Sequence, residues 1–177
     1  IEDGATRPVY YESRVVKLKL NEEIVNMIDA EYDRMAQYAE AYNIDKSKRE
    51  LSKMEAVLGA DQTIDSLVND IIDHYENYRA DLLTGKAMIV AYSRAIAMKI
   101  YYRILELRPS WTEKVKVVLT NSNKDPEEWH SVIGNKAYKE ELANKFKDND
   151  DPMKIAIVCD MWLTGFDVPS LATMYVY

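Results

Sequence analysis

Hydrophobic and polar positions along this chain follow three successive rhythms. Residues 1–20 are extended in character: Arg7-Pro8 disfavours helix, and Val9, Tyr10, Tyr11, Val15, Val16, Leu18 and Leu20 favour strand. From 21 to 84 the apolar residues recur at helical spacing. Asn21 can cap a first helix carrying Ile24, Val25, Ile28, Met35 and Ala39, and Ser47 with Glu50 forms a capping-box pattern for a second, which Gly59 would end. A third starts at Asp61 or Thr63, with Ile64, Leu67, Val68, Ile71, Ile72 and Tyr75 along one face. From 85 onward short apolar runs alternate with helical patterns. The runs at 86–92, 115–119, 155–159 and 172–177 read as strands, and helices are expected from Ser93 to just before Pro109 and from about Asn135 to Phe146. Strands that are apolar throughout and separated by helices predict an α/β fold, with parallel pairing and right-handed crossovers.

At 177 residues and 47% hydrophobic, the chain is long enough to bury a substantial core. No apolar run approaches the ~20 residues needed to span a bilayer, and no basic-then-apolar leader is visible. A lone cysteine, Cys159, excludes an internal disulfide framework and fits a reducing cytoplasm. Its place in an apolar strand suits a small core residue. The net charge of −7 argues mildly against a stand-alone DNA binder, while leaving room for a local basic surface. Ile1 in place of Met, and a strand-like run at the last residues, read as the ends of a segment cut from a larger protein.

The chemistry concentrates in three loops, each following a predicted strand: Ser93-Arg94, Thr120-Asn121-Ser122 and Thr164-Gly165-Phe166-Asp167. Parallel strands would deliver all three to one rim, the crevice where open α/β sheets hold ligands. Hydroxyls, a guanidinium and free backbone N–H groups suit sequence-independent gripping of a phosphodiester chain. Gly165 allows backbone to approach a phosphate, and the Asp167 carboxylate can accept from a ribose hydroxyl. Taken singly, Ser93 and Thr120 are also ordinary caps, and Gly165 with Asp167 an ordinary turn. His74 lies among Asp70, Asp73 and Glu76, but no second His or Cys stands at ligand spacing, and Asp148, Asp150 and Asp151 lack the order of an EF-hand. No metal site is expected. There is no G-x-x-x-x-G-K-[ST] loop, no nucleophile triad and no paired catalytic carboxylate, so no catalytic residue is assigned.

With these loops in view, the chain resembles the restriction (motor and nuclease) subunit of type I restriction–modification enzymes, within helicase superfamily two. DGATRPVYYESRVVKLKL (3–20) is similar to the segment leaving that family's first motor domain. KAMIVAYSRAIAMKIYYRI (86–104) resembles its motif IV, and KIAIVCDMWLTGFDVPSLATMYVY (154–177) its motif V with the strand leading to motif VI. The resemblance implies a linker over 1–20, a helical lead-in over 21–84, and a second RecA-like motor domain over 85–177 that stops before motif VI. Helices would cover both faces of its parallel sheet. It further implies that Gly165 and Asp167 face ATP and its Mg2+ in the cleft against a first RecA-like domain. Thr164, Ser93, Arg94 and, more weakly, Thr120 would lie toward double-stranded DNA. Modification and specificity subunits would be the partners, in the cytoplasm and away from membranes. Walker A, Walker B, motif VI and the nuclease carboxylates are not in this sequence, so the parent protein, rather than this segment, would cleave ATP and DNA. Another superfamily-two helicase, or a non-catalytic α/β interaction module, remains an alternative from the residues alone.

Overall fold

The computed structural model describes residues 9–12 and 53–177. The expected strand-like residues 15–20, the helix capped by Asn21 and the Ser47–Glu50 capping box lie outside the described residues. Residues 53–58 are helical and close at Gly59, whose N–H donates to the Glu55 carbonyl at 2.8 Å, as the sequence predicts.

Helix α1 (Asp61–His74) buries the stripe Ile64, Leu67, Val68, Ile71 and Ile72. Its N-cap, Ala60, provides no side-chain cap, and Asp61 supplies the favourable negative charge in the first turn. A π-helical turn, Tyr75–Arg79, prolongs it. Strand β1 (Lys86–Val90) follows, then α2 (Arg94–Leu107), a 3-10 turn at Pro109–Trp111 and β2 (Val115–Val118). Helices α3 (Glu127–Ile133) and α4 (Lys136–Lys147) lead to β3 (Ile155–Val158), and the last strand is β4 (Leu171–Val176).

Among the described residues four strands form one all-parallel sheet in the order β2-β3-β1-β4. Both faces are apolar because both are covered. Ala87, Ile89, Val115, Val117, Ile155 and Ile157 share a core with α1, α2 and Ile133 of α3. Met88, Val118, Ala156 and Val158 pack with Leu142 and Phe146 of α4, Met153 and Val168. The result is an α/β fold with helices on both faces and a helical segment before the sheet. Helix α1 lies within the same core as the strands.

Lys86 fixes the sense of α4. Wholly buried at the start of β1, its Nζ donates to the carbonyls of Lys145 (3.2 Å), Asp148 (2.6 Å) and Met153 (2.8 Å). The C-terminal end of α4 therefore abuts the amino end of the sheet, and its first turn lies toward the carboxyl end. Burial, then Lys154, hold the Lys86 ammonium below the usual lysine pKa, against the pull of Asp151 and Asp148.

One element departs from the sequence reading. Helix α3 stands where a plain loop was expected between the second strand and the helix from 135. Seven residues give under two turns, too short for periodicity to register. Its marks are local: Pro126 at the N-cap, Glu127 and Glu128 in the first turn, and Gly134 at the C-cap. Among the described residues no helix is long and apolar enough to cross a membrane.

Candidate functional site

The parallel strands send three loops out from the same end of the sheet, and the first two are bonded together. Ser93 caps α2, its Oγ accepting from Ile96 N–H at 3.3 Å. Arg94, first residue of that helix, reaches across to the loop after β2. Its Nε donates to Asp125 Oδ1 at 3.3 Å, its Nη2 pairs with Asp125 Oδ2, and its Nη1 donates to Thr120 Oγ1 at 3.0 Å. Asp125 Oδ2 also accepts from Ser122 N–H at 3.1 Å. The carboxylate is 5% exposed and the guanidinium 23%, so the pair is shielded from water more than a surface bridge. Arg94 thus has a structural partner that sequence reasoning missed. The signal was Asp125 before Pro126, a turn-forming dipeptide.

The third loop, residues 159–170, must travel from the carboxyl end of β3 back to the amino end of β4, because Leu171 pairs with Lys86, the first residue of β1. It begins beside the first loop, Cys159 Sγ lying 4.0 Å from the Tyr92 carbonyl. Burial, then Asp160, raise the Cys159 thiol pKa, although Arg94 pulls the other way, so this is no activated nucleophile. Farther on, Trp162 and Phe166 stack with ring centroids 4.1 Å apart, and Trp162 lies 5.6 Å from Phe146. Lys147 covers the Phe166 ring at 4.9 Å. These contacts anchor the middle of the loop to the last turn of α4. Between and beside the two rings, Thr164, Gly165 and Asp167 are exposed, and Val168 re-enters the core.

Of the residues singled out from sequence, the structure draws Ser93, Arg94 and Thr120 together. No hydrogen bond or ion pair among the described residues joins Thr164, Gly165 or Asp167 to them. Gly165 has φ +69°, the left-handed region, and a Cβ there would meet nothing within 4 Å. The space beside its Cα is therefore open, and the left-handed conformation is one that glycine adopts without strain. His74 is packed in the core, with Nδ1 2.9 Å from the Tyr175 hydroxyl, joining α1 to β4. Asp148 and Asp151 turn the chain, accepting from the N–H groups of Asp150 and Met153.

An all-parallel sheet with helices on both faces and exposed polar loops beyond its strands defines an α/β domain. Residues 106–177 match the family described as type I restriction enzyme subunit R domain 3. The putative type I restriction enzyme MjaIXP endonuclease subunit of Methanocaldococcus jannaschii is 39% identical over 97% of this chain, which spans 16% of that protein's length. The type I restriction enzyme HindI endonuclease subunit of Haemophilus influenzae is 34% identical over 99% of this chain, again against 16% of its own length. The chain belongs to the endonuclease (R) subunits of type I restriction enzymes.

Proposed function

We propose that this chain is part of the ATP-dependent DNA translocase of a type I restriction endonuclease, supplying one wall of an ATP cleft and part of a DNA track. Residues 85–177 form the second RecA-like motor domain in this reading, 21–84 its helical lead-in and 1–20 the linker from the first. What carries the reading is the loop 159–170, which leaves a central parallel strand with its polar groups exposed, in a chain aligned along almost its whole length with such subunits.

Gly165 and Asp167 form the nucleotide wall. An open backbone at Gly165 and an exposed carboxylate at Asp167 suit a phosphate and a ribose hydroxyl. ATP with Mg2+ supplies the phosphoryl-transfer chemistry when bound. The groups that polarise that transfer belong to other parts of the motor, in particular the first RecA-like domain. Ser93, Arg94, Thr120 and Thr164 form the track, gripping the sugar–phosphate backbone of double-stranded DNA without reading bases. Arg94 acts partly by posture: held by Asp125, it presents Thr120 and keeps two loops in one arrangement. The modification and specificity subunits would deliver the DNA. Because Thr164 and Asp167 share one short loop, closure on nucleotide would shift the DNA contact directly.

In the intact subunit, Asp167→Ala is expected to lower ATP hydrolysis about tenfold, with DNA affinity changed far less, and Thr164→Ala to do the reverse. Steady-state ATPase rates and equilibrium DNA binding, measured on both variants, check this. Equal losses in both assays from both substitutions would refute the division of roles.

A further inference from the structure

Lys139 lies in the second turn of α4, at the same end of the sheet as Thr120, and is half-buried there. Its Nζ donates to Asn121 Oδ1, while Asn121 Nδ2 donates to the Gly134 carbonyl at 2.8 Å. The amide is thereby oriented by backbone, and the ammonium is held by a neutral oxygen. Among the described residues no carboxylate pairs with Lys139; the nearby Asp125 is occupied by Arg94 and by Ser122 N–H. Two cations thus share one carboxylate: burial, then the Arg94 charge, lower the Lys139 pKa, and Asp125 offsets only part of this. A local positive excess results in a chain whose net charge is −7.

The neighbouring polar groups point to the same ligand. Thr120 Oγ1 already accepts from Arg94, and Ser122 Oγ from Lys124 N–H at 3.2 Å, so each hydroxyl retains its proton for donation. The ammonium keeps two N–H bonds beyond the one given to Asn121. A surface of donors with excess positive charge calls for an anionic oxygen acceptor.

We propose that Lys139, positioned by Asn121 beside Thr120 and Ser122, is a contact to a phosphodiester oxygen of the DNA backbone. The inference rests on the DNA-track reading above and adds a cation to it. A neighbouring phosphate would add to the negative charge that Asp125, divided between two cations, supplies only in part.

The test is equilibrium binding of the intact subunit to a fluorescent duplex lacking a recognition site, titrated between about 50 and 200 mM NaCl. Lys139→Gln is expected to weaken binding about three- to tenfold at the low-salt end and to reduce the log–log salt slope by about 0.9. Lys139→Arg should keep the wild-type slope, which separates a charge contact from damage to the fold. An unchanged slope in Lys139→Gln, with Thr120→Ala and Thr164→Ala still weakening binding, overturns this inference and leaves the track reading standing. A raised KM for ATP with an unaltered slope assigns the cation to nucleotide and likewise overturns it. No DNA binding by the wild-type subunit overturns both.

Discussion

Two glycines with positive φ carry different burdens, and a methyl group separates them. Gly165 (φ +69°) stands in open space, so Gly165→Ala meets only backbone strain, about 1–2 kcal/mol. Gly134 (φ +65°, ψ −170°) occupies a region that is almost glycine-only, and a Cβ there would lie 2.3 Å from Tyr138 Cδ1. Gly134→Ala must therefore strain the backbone and displace the ring that starts α4, a loss of about 3 kcal/mol or more. Urea unfolding of the two variants checks the ranking; a larger loss at Gly165 would contradict it. Trp162 makes the complementary point. It is held at φ +66° with a full side chain, a conformation kept because its ring stacks on Phe166 and Phe146. That stacking, which offsets the strain, pins Trp162 and Phe166 on either side of the exposed Thr164 and Gly165.

Arg94 and Asp125 act between elements, tying the start of α2 to the turn before α3. Removing one partner leaves the other charge shielded and unmatched, which costs more than the pair itself contributes. Asp125→Ala is expected to lower the unfolding free energy by about 2–3 kcal/mol, and replacing both residues with leucine to cost less than the sum of the single losses. A double-mutant cycle by denaturant unfolding measures both, and strict additivity would show that the contact carries no coupling. This strut also marks where the sequence stopped being legible. The stripe on α1 and the fully apolar strands could be read because periodicity is local, and the expected residues Ile64, Leu67, Val68, Ile71, Ile72 and Tyr75 are all buried. The hydroxyl-bearing loops could be read for the same reason. Asp125 as the partner of Arg94, and Asn121 as the holder of Lys139, could not, because those pairs are 31 and 18 residues apart and only the folded sheet brings them together. The aromatic anchor of Trp162 on Phe146 was hidden likewise, since it depends on which way α4 runs.

At the scale of the whole molecule, alkaline pH tests how tightly the core is sealed. Tyr75 is 1% exposed, packed edge-on against Trp111, and its O–H donates to the Gly85 carbonyl at 2.8 Å. Burial, reinforced by Asp81, pushes its pKa up to about 12, and burial pushes Tyr177, whose O–H donates to the Leu58 carbonyl, to about 12 as well. In the unfolded chain these phenols titrate near about 10. Between those values the folded chain keeps protons that the unfolded chain has lost, so stability falls as pH rises through the window from 10 to 12. Tyr101, Tyr102 and Tyr138 are raised by burial also and act in the same direction. Lys86 and Lys139 act in the opposite one. Their lowered pKa values mean the unfolded chain binds more protons just below the ordinary lysine value, so these two residues make stability rise with pH there. The tyrosines outnumber them and extend to higher pH, so the expected curve declines above about pH 10. Tyr75→Phe should shallow that decline while costing about 1–2 kcal/mol at neutral pH, where the buried Gly85 carbonyl loses its donor. Unfolding free energies measured from pH 8 to 12 on both proteins decide the matter. A wild-type stability that holds level up to pH 12 would mean that water reaches these phenols, and that the interface of α1, the sheet and the 3-10 turn is looser than its packing implies.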